Sequence, residues 1–276
     1  MNTFSTDKGV TIRQPSTANL MIDSADRNTT LNPSCFDFQI TRPQSIMNGF
    51  FTRCGTTEVV LEWCEPNVID DAIIFDISGA SVRSTQTLSI FTTFLNVAQL
   101  LNEIAVAFTG YNGVTFSVSQ IGNSVGIDAS GGRFRILTSP LAVRAELDLS
   151  SSLSTRKTIG QCPDLRLYRY LDFVSPQLTY SQDLKDTSTQ TISRDVLCRW
   201  YMAEDSQETY DQYGFPILMG YEPFVRRRLY NPPKQIKWDN NLPMGNLQFQ
   251  VYGDDGNILD NYADTQWLMT LQLTEN

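Results

Sequence analysis

Histidine is missing from all 276 residues. That removes Ser-His-Asp and Cys-His nucleophilic machinery and mixed Cys/His zinc sites. The five cysteines, Cys35, Cys54, Cys64, Cys162 and Cys198, are odd in number, and no two stand at C-x-x-C spacing. A disulfide framework or zinc knuckle is not expected from them; buried, reduced thiols in a reducing compartment are. No run approaches the ~20 apolar residues of a membrane span. Basic residues are outnumbered, 21 against 30 acidic, for a net charge of -9. Such a surface repels phosphate backbones and disfavours general nucleic-acid binding. Neither a G-x-x-x-x-G-K-[ST] nor a G-x-G-x-x-G string occurs, so no phosphate-cradling loop is expected and no cofactor is implied.

Apolar residues make up 41% and aromatics 11%, enough for a sizeable core and well suited to β-sheets. Residues 1–16 are polar, with little periodicity, and read as an extended arm: either a disordered tail or a segment that orders on assembly. Period-2 alternation then begins. Phe36, Phe38 and Ile40 alternate with Cys35, Asp37 and Gln39; Val59, Leu61 and Trp63 share one strand face. Ala72 to Ile77 reads as a third strand, stopped by Gly79. Near the C-terminus, Leu247, Phe249 and Val251, and then Trp267, Met269, Leu271 and Leu273, line single strand faces. Strands with one apolar and one polar face predict two packed antiparallel sheets.

The middle of the chain differs. Val97, Ala98, Leu100, Leu101, Ile104, Ala105 and Phe108 form a stripe of helical period, with Asn96 and Gln99 placed as a capping box. Short strands and turns follow at Gly122-Asn123 and Gly131-Gly132, and Ser139-Pro140 marks a second helix start. The expected organisation is a mostly β sandwich from 17–79 and 156–276, with an inserted helix-plus-hairpins unit at 80–155. Two consecutive domains are the alternative.

Candidate chemistry is thin. Asp70-Asp71 and Asp254-Asp255 read as turn residues rather than a catalytic pair. Glu58 and Glu62 share a strand face, about 13 Å apart, too far for one site. The basic run Arg226-Arg227-Arg228, with Lys234 and Lys237, is interleaved with Tyr221, Phe224, Tyr230 and Trp238. It reads as a solvated loop over buried rings, a subunit contact, or, less in keeping with the charge, a nucleic-acid contact. The subunit-interface candidates are Arg226, Arg227, Arg228, Tyr221, Phe224 and Tyr230.

Several phrases resemble the penton (vertex) proteins of the double-jelly-roll virus lineage, as in virophages and related large DNA viruses. They include Ser24-Ala25-Asp26-Arg27-Asn28, Thr57 through Trp63, Asp172 through Thr179, Arg199-Trp200-Tyr201 and Pro232 through Trp238. The resemblance implies an antiparallel jelly-roll β-sandwich with a small α+β insertion. It also implies a non-enzymatic capsid role in the virion, a homopentamer at five-fold vertices and major and minor capsid proteins as partners. A cement protein is a close variant. A carbohydrate-binding jelly roll with exposed Trp and Tyr, or a histidine-free hydrolase using carboxylates, are the readings from other classes.

Overall fold

The computed structural model describes residues 3–5, 11–13, 17–41, 51–79, 83–137, 139–161, 163–179, 196–202, 209–218, 220–237, 245–263 and 265–275. Within the expected arm, β1 (Thr3–Ser5) and β2 (Thr11–Arg13) pair as an antiparallel ribbon. The rest of 1–16 lies outside the described residues, as do Cys162, Trp238 and the side chain of Lys237.

The chain divides into two units. Unit 1 holds 1–65, 168–201 and 224–276; unit 2 holds 66–167 and 202–223. The main strands of unit 1 are, in chain order, β3 (Thr17–Asp23), β4 (Asp37–Thr41), β5 (Phe51–Trp63), β12 (Tyr170–Val174), β13 (Val196–Tyr201), β14 (Phe224–Leu229), β16 (Asn246–Gly253) and β17 (Gln266–Glu275). They form two antiparallel sheets, ordered β14-β5-β17-β3 and β13-β12-β16-β4. In the first, the short β15 (Gln235–Lys237) also pairs with β5. Counted along the chain, the sheets take strands 6-3-8-1 and 5-4-7-2, the strand order of a jelly roll.

Alternation dictates which faces meet. Trp267, Met269, Leu271 and Leu273 of β17 are buried, as are Leu247, Phe249 and Val251 of β16. Trp267 is the hub: its ring lies 5.4 Å from Phe38, 5.2 Å from Phe173 and 6.2 Å from Phe249, all on the opposite sheet. Its indole Nε1 donates to the Cys35 carbonyl at 2.9 Å, so the polar atom is satisfied inside the core. In β5 the phase changes partway. Cys54 and Thr56 are buried, then Val59, Leu61 and Trp63. Glu58 pairs with Thr270 while Thr56 pairs with Leu271, leaving Thr57 unopposed: a β-bulge that resets the inward set by one residue.

Unit 2 has its own core. One sheet is ordered β10-β6-β7, from β6 (Asp71–Ser78), β7 (Arg83–Ile90) and β10 (Arg133–Ile136). Another is ordered β11-β9-β8, from β8 (Thr115–Ile121), β9 (Ser124–Ser130) and β11 (Arg156–Thr158). Helix α1 (Val97–Phe108) carries the Asn96–Gln99 capping box, and α2 (Pro140–Arg144) is capped by Ser139 Oγ accepting from Ala142 N. The buried face of α1 ends in an aromatic row, Phe108 to Phe116 at 5.5 Å and Phe116 to Phe134 at 5.1 Å.

The boundaries differ from those read in the sequence. The stretches 66–79 and 156–167 belong to unit 2, because β6 pairs with β7 and β10, and β11 with β9. Residues 202–223, placed in the sandwich by the sequence reading, also belong to unit 2. Unit 1 is therefore interrupted twice, after β5 and after β13. Trp63 stands opposite Phe224, and Tyr170 opposite Tyr201, while the Trp63 and Tyr168 rings meet at 6.3 Å. All the points where the chain leaves or returns thus gather at one end of the sandwich. Among the described residues no helix is long and apolar enough to cross a membrane.

Candidate subunit-contact surface

The basic run forms β14, the outermost strand of its sheet, paired along one edge with β5. Strand alternation sends its residues to opposite faces. Phe224, Arg226 and Arg228 are half-buried; Val225, Arg227 and Leu229 are exposed. The half-buried set closes the flank between the two sheets. Phe224 stacks on Trp63 at 6.5 Å. The Arg228 guanidinium lies 5.2 Å from the Tyr230 ring centroid and 5.8 Å from that of Tyr201. Tyr230 Oη donates to the Arg199 carbonyl at 3.0 Å, and Lys234 Nζ donates to the Val196 carbonyl at 3.1 Å. These bonds tie the β14–β15 segment to β13 of the other sheet.

Tyr221 is elsewhere. It is 2% exposed in the core of unit 2, where its hydroxyl accepts from Leu165 N at 3.1 Å. Burial pushes its hydroxyl up to about 12. It offers no contact surface. Sequence adjacency had grouped it with the arginines, but the chain crosses from unit 2 to unit 1 between Pro223 and Phe224.

The exposed set is what sequence reasoning missed. Val225 is 69% exposed and Leu229 63%, on either side of Arg227, which pairs with Glu58 across the strand. Register extends this face across the sheet: Arg227 opposite Val60, Val60 opposite Leu268, Leu268 opposite Asp23; and Leu229 opposite Glu58, Glu58 opposite Thr270, Thr270 opposite Met21. Met21 is 67% exposed. Three well-exposed apolar side chains therefore share one sheet face. The available signal was alternation within Phe224–Leu229, hidden by treating the arginines as a block.

The outer face of the second sheet is polar. Arg199 forms a two-pronged pair with Asp172, at 2.7 and 2.9 Å, and its guanidinium lies 3.9 Å from the Tyr170 ring centroid. Gln248 and Gln250 both donate to Asp37, at 2.9 and 3.3 Å. Of the carboxylates singled out in the sequence, Asp71 pairs with Arg144, and Asp255 caps its own turn by accepting from Asn257 N at 3.1 Å. Burial pushes the Cys54 and Cys198 thiols up to about 12, so neither is an activated nucleophile. Trp63, Trp200 and Trp267 are all buried and form no exposed platform for a sugar ring.

No protein-family model and no curated protein matches the chain. Among solved structures it is similar to the mavirus penton protein, known from a selenomethionine-labelled crystal, with a TM-score of 0.50 and 12% sequence identity. The likeness covers 95% of this chain and 99% of that one. At that identity what is shared is the fold: over nearly its whole length, this mostly β chain is built as a penton protein is built.

Proposed function

We propose that this chain is the penton subunit of an icosahedral virion, five copies closing a ring at each five-fold vertex, with the major capsid protein as the surrounding neighbour. The observation that carries this reading is the end-to-end correspondence with a penton protein, 95% of one chain against 99% of the other. A match confined to part of the chain would support only a common jelly roll. The chemistry is in keeping with it. Asp71 and Asp172 are held in ion pairs and Asp255 in a turn, and both units have aromatic-rich cores, in keeping with a structural subunit. Cyclic association joins two different patches of each copy, and unit 1 has two unlike outer faces to offer. Cys54 and Cys198, kept as buried thiols, suit assembly in a reducing compartment. The same features serve a minor capsid or cement protein, but the end-to-end correspondence favours the penton.

Native mass spectrometry of the purified chain tests the reading. The expected species is about 156 kDa, five times the 31.2 kDa chain. A chain that stays monomeric at high concentration, and remains so when co-expressed with the major capsid protein, would refute it.

A further inference from the structure

Resting on the penton reading, we infer that the outer face of the β14-β5-β17-β3 sheet docks a basic segment of a different capsid protein, seating an arginine side chain between Asp23 and Glu62. The two carboxylates border a hollow of about 140 Å³ on that face, with Val60, Leu268 and Gln266 among its lining. Strand register explains the setting. Glu62 stands between Val225 and Gln266, and Asp23 ends the row Arg227, Val60, Leu268, Asp23. Glu58, one row further on, is taken up by Arg227, but among the described residues neither Asp23 nor Glu62 is in an ion pair. Asp23 accepts from the Ala25 amide at 2.8 Å, and Glu62 is exposed. This end of the face therefore carries three carboxylates, Asp23, Glu58 and Glu62, against Arg227, a net of -2.

Charge and shape together name the occupant. An acidic rim beside apolar side chains suits a cation on a long aliphatic stem, and exposed Val225, Leu229 and Met21 extend the apolar area on the same face. Arginine fits better than lysine, because its planar fork pairs with a carboxylate through two hydrogen bonds. A second copy of this chain is the poorer occupant on two counts. Each copy carries a net charge of -9, so copies repel at long range. The exposed Arg53 stands opposite Thr274, and Thr274 opposite Thr17, at the far end of this same face. Ring contacts join two different patches, so Arg53 does not meet Glu62 of the next copy round the ring. A basic segment of another protein meets neither obstacle.

The test measures binding of a blocked peptide, acetyl-Arg-Val-Arg-Val-Arg-amide, to the full-length chain by calorimetry at about 0.15 M salt. The same peptide with citrulline in place of arginine is the uncharged control. Glu62→Gln with Asp23→Asn removes both charges, and asparagine keeps an oxygen to cap Ala25. This pair of changes is expected to weaken the arginine peptide roughly 10-fold. Glu103→Gln with Glu222→Gln removes the same charge from unit 2 and is expected to leave binding unchanged. Amide exchange of β17 reports whether unit 1 is folded, and Glu62→Gln alone replaces the double variant if it is not. Equal binding of the citrulline peptide, or equal weakening by the two pairs of substitutions, overturns the docking inference. So does loss of self-association in Arg53→Gln and Glu62→Gln alike, which would make a second copy the occupant. The peptide assay does not depend on oligomeric state, so these failures leave the penton reading standing. A chain that never assembles, alone or with the major capsid protein, sinks that reading and the docking inference with it.

Discussion

Replacing Trp267 with alanine removes the side chain that joins the two sheets of unit 1. The indole is 2% exposed and meets three rings of the facing sheet, Phe38, Phe173 and Phe249. Large aromatic-to-alanine changes in a core cost about 3–5 kcal/mol. The loss here belongs at the upper end, because the Cys35 carbonyl also loses its donor, worth about 1 kcal/mol or more in a buried setting. Trp267→Phe separates the two contributions. It keeps much of the ring packing, loses the donor and leaves a smaller void, so about 2 kcal/mol is expected. Native-state hydrogen exchange resolves the change by segment: amides of β12, β16 and β17 lose protection by these amounts. Trp267→Ala costing below about 1 kcal/mol would refute the assignment of Trp267 as the hub, since no buried tryptophan with three ring neighbours is so cheaply removed.

Asp172→Ala removes the carboxylate that Arg199 grips with two hydrogen bonds and is expected to cost about 3 kcal/mol by urea unfolding. Replacing both with apolar residues of similar volume is expected to recover most of that loss. Cys54 and Cys198 should resist thiol reagents at pH 8 until the chain is unfolded. Their folded values lie above the ordinary value near 9, so their contribution to stability is present below pH 9 and is lost as pH climbs toward 12. A titration of unfolding midpoint against pH reads this directly. Gly126→Ala would set a Cβ 2.5 Å from the Lys157 carbonyl, forcing β9 and β11 apart; a loss of about 1–3 kcal/mol, seen as faster exchange in β11, is expected.

Local chemistry was legible in the sequence where a single element decides its own fate. The Asn96–Gln99 box, the Ser139 cap and the inward set of β17 need only neighbours within a few residues. Thr57 shows where that stops. The bulge exists because β5 must stay in register with β17, more than two hundred residues away, and nothing within 51–63 announces the change of phase. The arginine strand failed differently. Composition marks it as unusual, yet its meaning lies in which residue faces outward, and Val225 and Leu229 each stand between an arginine and an aromatic residue that mask the alternation. The domain edges were misplaced because Ala72–Ile77 has the pattern of any buried strand, and only pairing partners say which sheet receives it.

Splicing a second body into two connections at the same end of the sandwich has a consequence for how such a molecule can be altered. A contiguous cassette spanning 66–167 cannot be exchanged for another, since 202–223 would be left behind with Tyr221 stripped of the Leu165 amide it receives. Any variation that replaces unit 2 wholesale has to change both stretches together. Short substitutions within its loops are the easier route by which its surface can diversify while the sandwich of unit 1 stays constant.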